Sequence, residues 1–365
     1  MKHFLRNLLP GYKILLGIIL LTSAGIAFAA SEDVANSLVT QKSKQVASKS
    51  SWAIAFDNDV LVPGSRDQDY TYGINLSYAG NRVEEQWSSL HQPLGWINNL
   101  IGLDGQIDQG TKASKIEFGL FGFTPEDITL SEAQQDDRPY ASLIYVSSSR
   151  ESYNSRREVS WQSTLTLGIL GLSVVGDLQE IVHSTISGNK PRGWDNQISE
   201  GGEPTVRYSV SRQSLLYQSG SGFQIKSTIQ GSVGYITEAS WSLSTRAGRI
   251  RTPWVSFNPE LTSYGEKSNP NARVKVSEQY AWAGISFKYR AYNAFLEGQF
   301  KDSVVTYRDE EINRGIVEAW LGYTMGFDNG YSITYSIRGH TSELNQGNAD
   351  RNVAWGGLLL SKTFD

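Results

Sequence analysis

The 365-residue chain carries 33 basic and 37 acidic residues, 2 methionines and no cysteine. Without cysteine neither a disulfide framework nor a thiolate metal site can form, and the acidic balance argues against a nucleic-acid surface. At this length a strand-rich barrel is one domain as readily as the chain could be two ordinary ones.

Residues 1–29 have the three-part grammar of a secretory signal. Lys2, Arg6 and Lys13 fall in it without an acid, Ile14 to Leu21 is an apolar run, and small residues end at Ala27-Phe28-Ala29. Cleavage after Ala29, on a Sec-type export route, leaves 30 basic against 37 acidic residues, a net −7. Residues 30–51 are polar and without period, which predicts a flexible lead-in to a single barrel domain over 52–365.

No later stretch approaches the ~18 apolar residues of a helical membrane span. Period-two alternation recurs instead. Tyr70, Tyr72, Ile74, Leu76 and Tyr78 form one face of a run whose other face is Thr71, Gly73, Asn75 and Ser77. Val159 to Ile169, Phe223 to Tyr235, Val317 to Met325 and Tyr331 to Ile337 repeat the pattern. Runs of ten or more, with an apolar face opposite a face of Ser, Thr, Gln and Gly, suit a transmembrane barrel better than a soluble sandwich. The 18 Tyr, 13 Phe and 10 Trp supply aromatic girdles.

Twelve strands are predicted, over 52–59, 69–80, 113–123, 139–149, 157–171, 204–217, 221–236, 240–250, 277–294, 314–327, 330–343 and 351–364. The fold expected is an all-β transmembrane antiparallel barrel with a short helix in an outer loop. Phe364 closes the last strand near the chain end, as in outer-membrane barrels. With both termini periplasmic, the outer connections include 60–68, 124–138, 172–203, 295–313 and 344–350. Residues 81–112 fit poorly as a short inner turn. Trp87, Leu90, Leu94 and Ile97 lie there at helical spacing, which suggests a helix packed on the barrel mouth.

The residues able to carry chemistry gather at the outer end. Phe56-Asp57-Asn58-Asp59 closes the first strand and Asp69-Tyr70-Thr71-Tyr72-Gly73 opens the second. Asn58 and Asp59 offer hard oxygen atoms of the kind Ca²⁺ takes, although Asx residues also begin ordinary loops. Thr71 adds a hydroxyl expected on the lumen face. Asp137-Arg138-Pro139-Tyr140-Ala141 brings a guanidinium, suited to phosphate or to an ion pair. Gly176 to His183 reads as a helix capped by Asp177, with Gln179 and His183 one turn apart on one face. A neutral imidazole there is able to take a proton from water. Gly193-Trp194-Asp195-Asn196-Gln197 and Glu203-Pro204 form a polar loop around an aromatic anchor. Neither a Gly-rich phosphate loop nor a Gly-x-Ser-x-Gly elbow is found.

Taken together, the order and spacing of these pieces resemble the lipid A 3'-O-deacylase family of Gram-negative outer-membrane proteins. The likeness runs from about Ser51 to the end. It rests on the Asn58-Asp59 and Asp69 to Gly73 motifs, Asp137 to Ala141, and His183 followed by Trp194 and Gln197. The resemblance implies a twelve-stranded barrel and a Ca²⁺-dependent esterase that removes the 3'-linked acyloxyacyl group of lipid A. It implies His183 as general base, Ca²⁺ held by Asp59 with Asn189 and Glu203, and Asn58 and Thr71 as orienting groups. Arg138 would face a lipid A phosphate, and Gln197 would contact substrate. Family members carry an acid six positions after the histidine where this chain has Asn189, which implies weaker metal binding. The partners implied are lipopolysaccharide and membrane lipids, with no nucleic acid, for a monomer in the outer membrane. Three rival readings stand beside this one: a passive pore, a serine-dependent outer-membrane phospholipase, and a silent lipid-binding barrel.

Overall fold

The computed structural model describes residues 50–63, 69–80, 83, 90–103, 111–186, 190–267 and 275–364, with the side chains of Thr111 and of 181–186 outside that set. The signal and lead-in expected over 1–49 therefore lie outside the described residues, as does Asn189.

Twelve antiparallel strands close a barrel in which each pairs with its neighbours in sequence and the first pairs with the last. They are β1 (Ser51–Asn58), β2 (Asp69–Ala79), β3 (Thr111–Thr124), β4 (Ala141–Asn154), β5 (Val159–Leu170) and β6 (Glu203–Ser219). The second half comprises β7 (Phe223–Gly234), β8 (Ile236–Arg249), β9 (Glu278–Asn293), β10 (Gly315–Gly326), β11 (Tyr331–His340) and β12 (Val353–Thr363). Each predicted window matches one strand, and the seventh, 221–236, also reaches Ile236 at the start of β8. Among the described residues three α-helices interrupt the strands: α1 (His91–Leu100), α2 (Val174–Ile186) and the single turn α3 (Ala294–Glu297). Among the described residues no helix is long and apolar enough to cross a membrane.

Alternation sets the two faces. Along β1, Ser51, Ala53, Ala55 and Asp57 are buried in the lumen while Ile54 and Phe56 are exposed on the outer wall. Closure satisfies every strand edge, and the exposed residues form an apolar belt that includes Leu76, Phe118, Leu167, Val206, Ile229, Phe287, Ile333 and Leu358.

The lumen is filled, a feature the sequence reading did not single out. The β8–β9 connection turns inward at the end that holds the termini. Its 3₁₀ turns Trp254–Ser256 and Pro259–Leu261 climb inside the barrel. At the top, Tyr264 packs on Phe123 and Tyr70, with ring centroids 4.8 and 5.5 Å apart. This plug is tied to the wall by Glu260–Lys226 at 2.8 Å, Glu266–Arg207 at 3.1 Å, and Lys267–Asp57. Each buried charge meets an opposite one, which is what makes burial tolerable. A passive pore would need this space open.

Candidate active site

The site is built where β1, β2 and β3 reach the far rim. Asn58 ends β1 and caps the 3₁₀ turn Asp59–Leu61. Its Oδ1 accepts from the Val60 amide at 2.7 Å, and its Nδ2 donates to the Thr71 carbonyl at 2.7 Å. Both ends of this side chain are thus used in joining the Asp59 turn to β2. Asp59 itself is buried in that turn. Since Asp57 points into the lumen, Asn58 falls on the outer wall, opposite Tyr72 in register.

Thr71 is not on the lumen face, contrary to the plain alternation of the sequence. A β-bulge between Tyr70 and Tyr72 shifts the β2–β3 register. An extra residue in one strand reverses which way the following side chains point. Tyr70 is therefore turned into the lumen core with Phe121, Phe123 and Tyr264, not onto the lipid face that was expected. Thr71 meets Thr124 across the bulge, Oγ1 to Oγ1 at 2.6 Å. Thr124 follows lumen-facing Phe123, so this hydroxyl pair lies on the outer side. Asp69 enters the bulge at φ +69°, a left-handed conformation that Asp tolerates, and Arg351 holds its carboxylate at 2.9 Å.

Helix α2 is docked onto the same outer wall. The Tyr72 phenol donates to the Val175 carbonyl in the first turn of α2. Tyr72, Tyr140, Val175 and Trp194 form one buried cluster, with the Tyr140 and Trp194 rings 4.9 Å apart. Trp194 Nε1 donates to Gln179 Oε1 at 2.8 Å. Close approach explains two glycines: a Cβ on Gly176 would come 2.6 Å from Trp194, and one on Gly122 would come 3.1 Å from it. The backbone of His183 lies in α2, one turn beyond Gln179. Its side chain lies outside the described residues.

Three other expected site residues are engaged elsewhere. Gln197 is buried, accepting from Ser142 at 2.8 Å and donating to Glu200 at 2.6 Å, which fixes the Trp194 turn on β4. The Glu203 carboxylate accepts from Ser199 Oγ at 2.6 Å, the Phe300 amide at 2.6 Å and Gln299 Nε2 at 3.3 Å. Its oxygens anchor a neighbouring loop. Arg138 is 3% exposed, bonded to Glu343 at 2.5 Å and stacked 4.3 Å from the Phe123 ring centroid. It presents no outward guanidinium to a phosphate. Burial on its own would lower the Arg138 pKa, but Glu343 raises it, so the charge is locked in.

Among the described residues no group of three or more His, Asp or Glu is arranged to hold a metal ion. Of the expected Ca²⁺ ligands, Asp59 is the hard-oxygen donor placed at the outer-wall site. The sequence reading missed the docking residues Tyr72, Tyr140 and Ser142. Their signal was available only as aromatic or small polar residues at strand ends, indistinguishable from belt and wall positions.

The family model for outer membrane protein LpxR matches residues 15–364. The chain belongs to this family. Among solved structures, LpxR from Salmonella typhimurium aligns at TM-score 0.66 and 16% identity, covering 86% of this chain and 100% of that one. The β-domain of the Bordetella autotransporter BrkA aligns at TM-score 0.41 and 10% identity, over 87% of this chain and 100% of its own. No curated protein sequence matches. LpxR membership bears out the motif-based resemblance and makes the barrel an outer-membrane one. Short turns over 155–158, 220–222 and 327–330 then mark the periplasmic end, and the rim with the candidate site is the extracellular one.

Proposed function

We propose that the protein is a lipid A deacylase that cleaves the 3'-linked acyloxyacyl ester in the outer leaflet. The observation that carries this reading is the bulge at Thr71. It brings Thr71, the Asn58–Asp59 turn and the docked helix α2 together on the outer wall, where a membrane-borne ester arrives, and not in the plugged lumen. Water at pH 7 is a poor nucleophile, so the ester needs a base and charge stabilisation.

In this mechanism His183 takes a proton from water as its oxygen bonds to the acyl carbon. The ester C–O bond then breaks, and the proton is returned to the departing sugar oxygen. Asn58 fixes the Asp59 turn against β2, and the Thr71–Thr124 hydroxyl pair orients water or the carbonyl. Asp59, with Asn189, would hold Ca²⁺, which supplies Lewis-acid neutralisation of the charge that develops on the ester oxygen. Tyr72 and Trp194 position α2, and substrate orientation of this kind accounts for several kcal/mol of barrier.

The reading is tested by identifying what is released from lipid A by the folded protein. An intact acyloxyacyl acid is expected. Release of a single unbranched fatty acid, or of none, would refute the assigned ester.

A further inference from the structure

Helix α1 lies in the poorly fitting 81–112 connection and plays no part in the site. It packs on the outer wall, not on the mouth. Asn98 Nδ2 donates to Ser163 Oγ at 2.9 Å, and the Tyr208 phenol donates to Asn98 Oδ1 at 2.8 Å. The Leu90 amide, just before the helix, donates to Ser148 Oγ at 2.9 Å. Ser148, Ser163 and Tyr208 share strand parity with belt residues Val146, Leu167 and Val206, whereas Ser149, Thr164 and Arg207 line the lumen.

This arrangement buries His91, Leu94 and Asn98 and leaves Trp96 67%, Leu100 71% and Ile101 54% exposed. The ten residues include no Lys, Arg, Asp or Glu. Ser163 is four residues into β5 from Val159, so α1 sits roughly 10 Å above the periplasmic turn at usual strand rise and tilt. Its register row runs through Val210 to Gly231, between the exposed Ile229 and Val233. The apolar side of α1 is thus continuous with the lipid-facing belt. Trp is enriched where a membrane meets water, and a helix without charged side chains carries no charge penalty against facing lipid at this depth.

We propose that α1 is a wedge in the periplasmic leaflet, with Trp96, Leu100 and Ile101 packed among phospholipid acyl chains. The surface then anchors and orients the barrel on the side opposite the leaflet that presents lipid A.

The absence of cysteine makes a unique label possible. Trp96→Cys and Leu100→Cys are spin-labelled in phosphatidylethanolamine/phosphatidylglycerol vesicles, beside Ile229→Cys in the belt and Ser221→Cys in the β6–β7 turn. Retained heat-modifiable migration verifies folding of each. Collision with oxygen should exceed collision with a water-soluble nickel chelate at both helix positions, with a ratio within about two-fold of the Ile229 control. A ratio like that of Ser221 would place α1 in water and overturn the proposal. Low access to both reagents would mean that protein covers the helix, and would overturn it equally.

Discussion

The Tyr72 phenol on β2 donates to the Val175 carbonyl on α2, joining the barrel wall to the first turn of the helix that carries His183. Tyr72→Phe removes a hydrogen bond worth about 1 kcal/mol. Deacylation of lipid A should fall roughly ten-fold or more through misplacement of the base. Heat-modifiable migration of the barrel should be unchanged. Equal activity in the variant would mean that this contact does not position α2.

Thr71 and Thr124 share a hydroxyl contact of 2.6 Å on the outer side of the bulge. Thr71→Ser keeps that oxygen and should retain most activity. Thr71→Val keeps the shape and removes the oxygen, so turnover should drop about ten-fold or more. The paired rates separate a chemical role from packing, since a purely steric role would favour Val over Ser.

Under the outer loops, Arg138 and Arg290 both bond to Glu343. Burial on its own would raise the Glu343 pKa, but the two guanidinium groups overrule it and hold it well below the ordinary carboxylate range. A depressed folded value means the stabilisation is full above the unfolded value, about pH 4.3, and is lost as pH falls through the folded one. The near-UV dichroism should therefore be the same at pH 5 as at pH 7. Glu343→Ala strips buried Arg138 of its carboxylate, while Arg290 keeps Glu238, and should cost about 3–5 kcal/mol, seen as easier unfolding in a heat-shift assay.

The plug predicts electrical behaviour. The protein in planar bilayers should show no steady conductance, because Tyr264, Glu260, Glu266 and Lys267 occupy the lumen. Replacing 255–267 by a short Gly/Ser linker should open discrete conductance steps while the barrel still assembles. Steady conductance of the intact protein would contradict a filled lumen.

The barrel was legible because alternation is local: the pattern from Thr71 to Tyr78 and its repeats give strands without any knowledge of the partner. Which face Tyr70 and Thr71 occupy was not legible. A bulge adds one residue to one strand, and the sequence alternates straight through it. The partners of Arg138 and Glu203 were not legible for a related reason. A charged residue at a strand end looks the same whether it faces substrate or a partner such as Glu343, 205 positions away. The plug was missed because Ile250 to Lys267 carries little periodicity and is defined by contacts with strands all round the barrel, from Asp57 on β1 to Trp355 on β12. Trp194 was legible as an anchor, though not as the residue that holds Gln179.

The central claim is tested most directly by mass spectrometry of lipid A incubated with the detergent-folded protein. Three samples are compared: protein with Ca²⁺, protein with a chelator, and His183→Ala with Ca²⁺. The account predicts loss of one 3'-acyloxyacyl mass in the first sample alone. Unchanged lipid A in all three would contradict it, and undiminished cleavage by His183→Ala would remove that residue as the base.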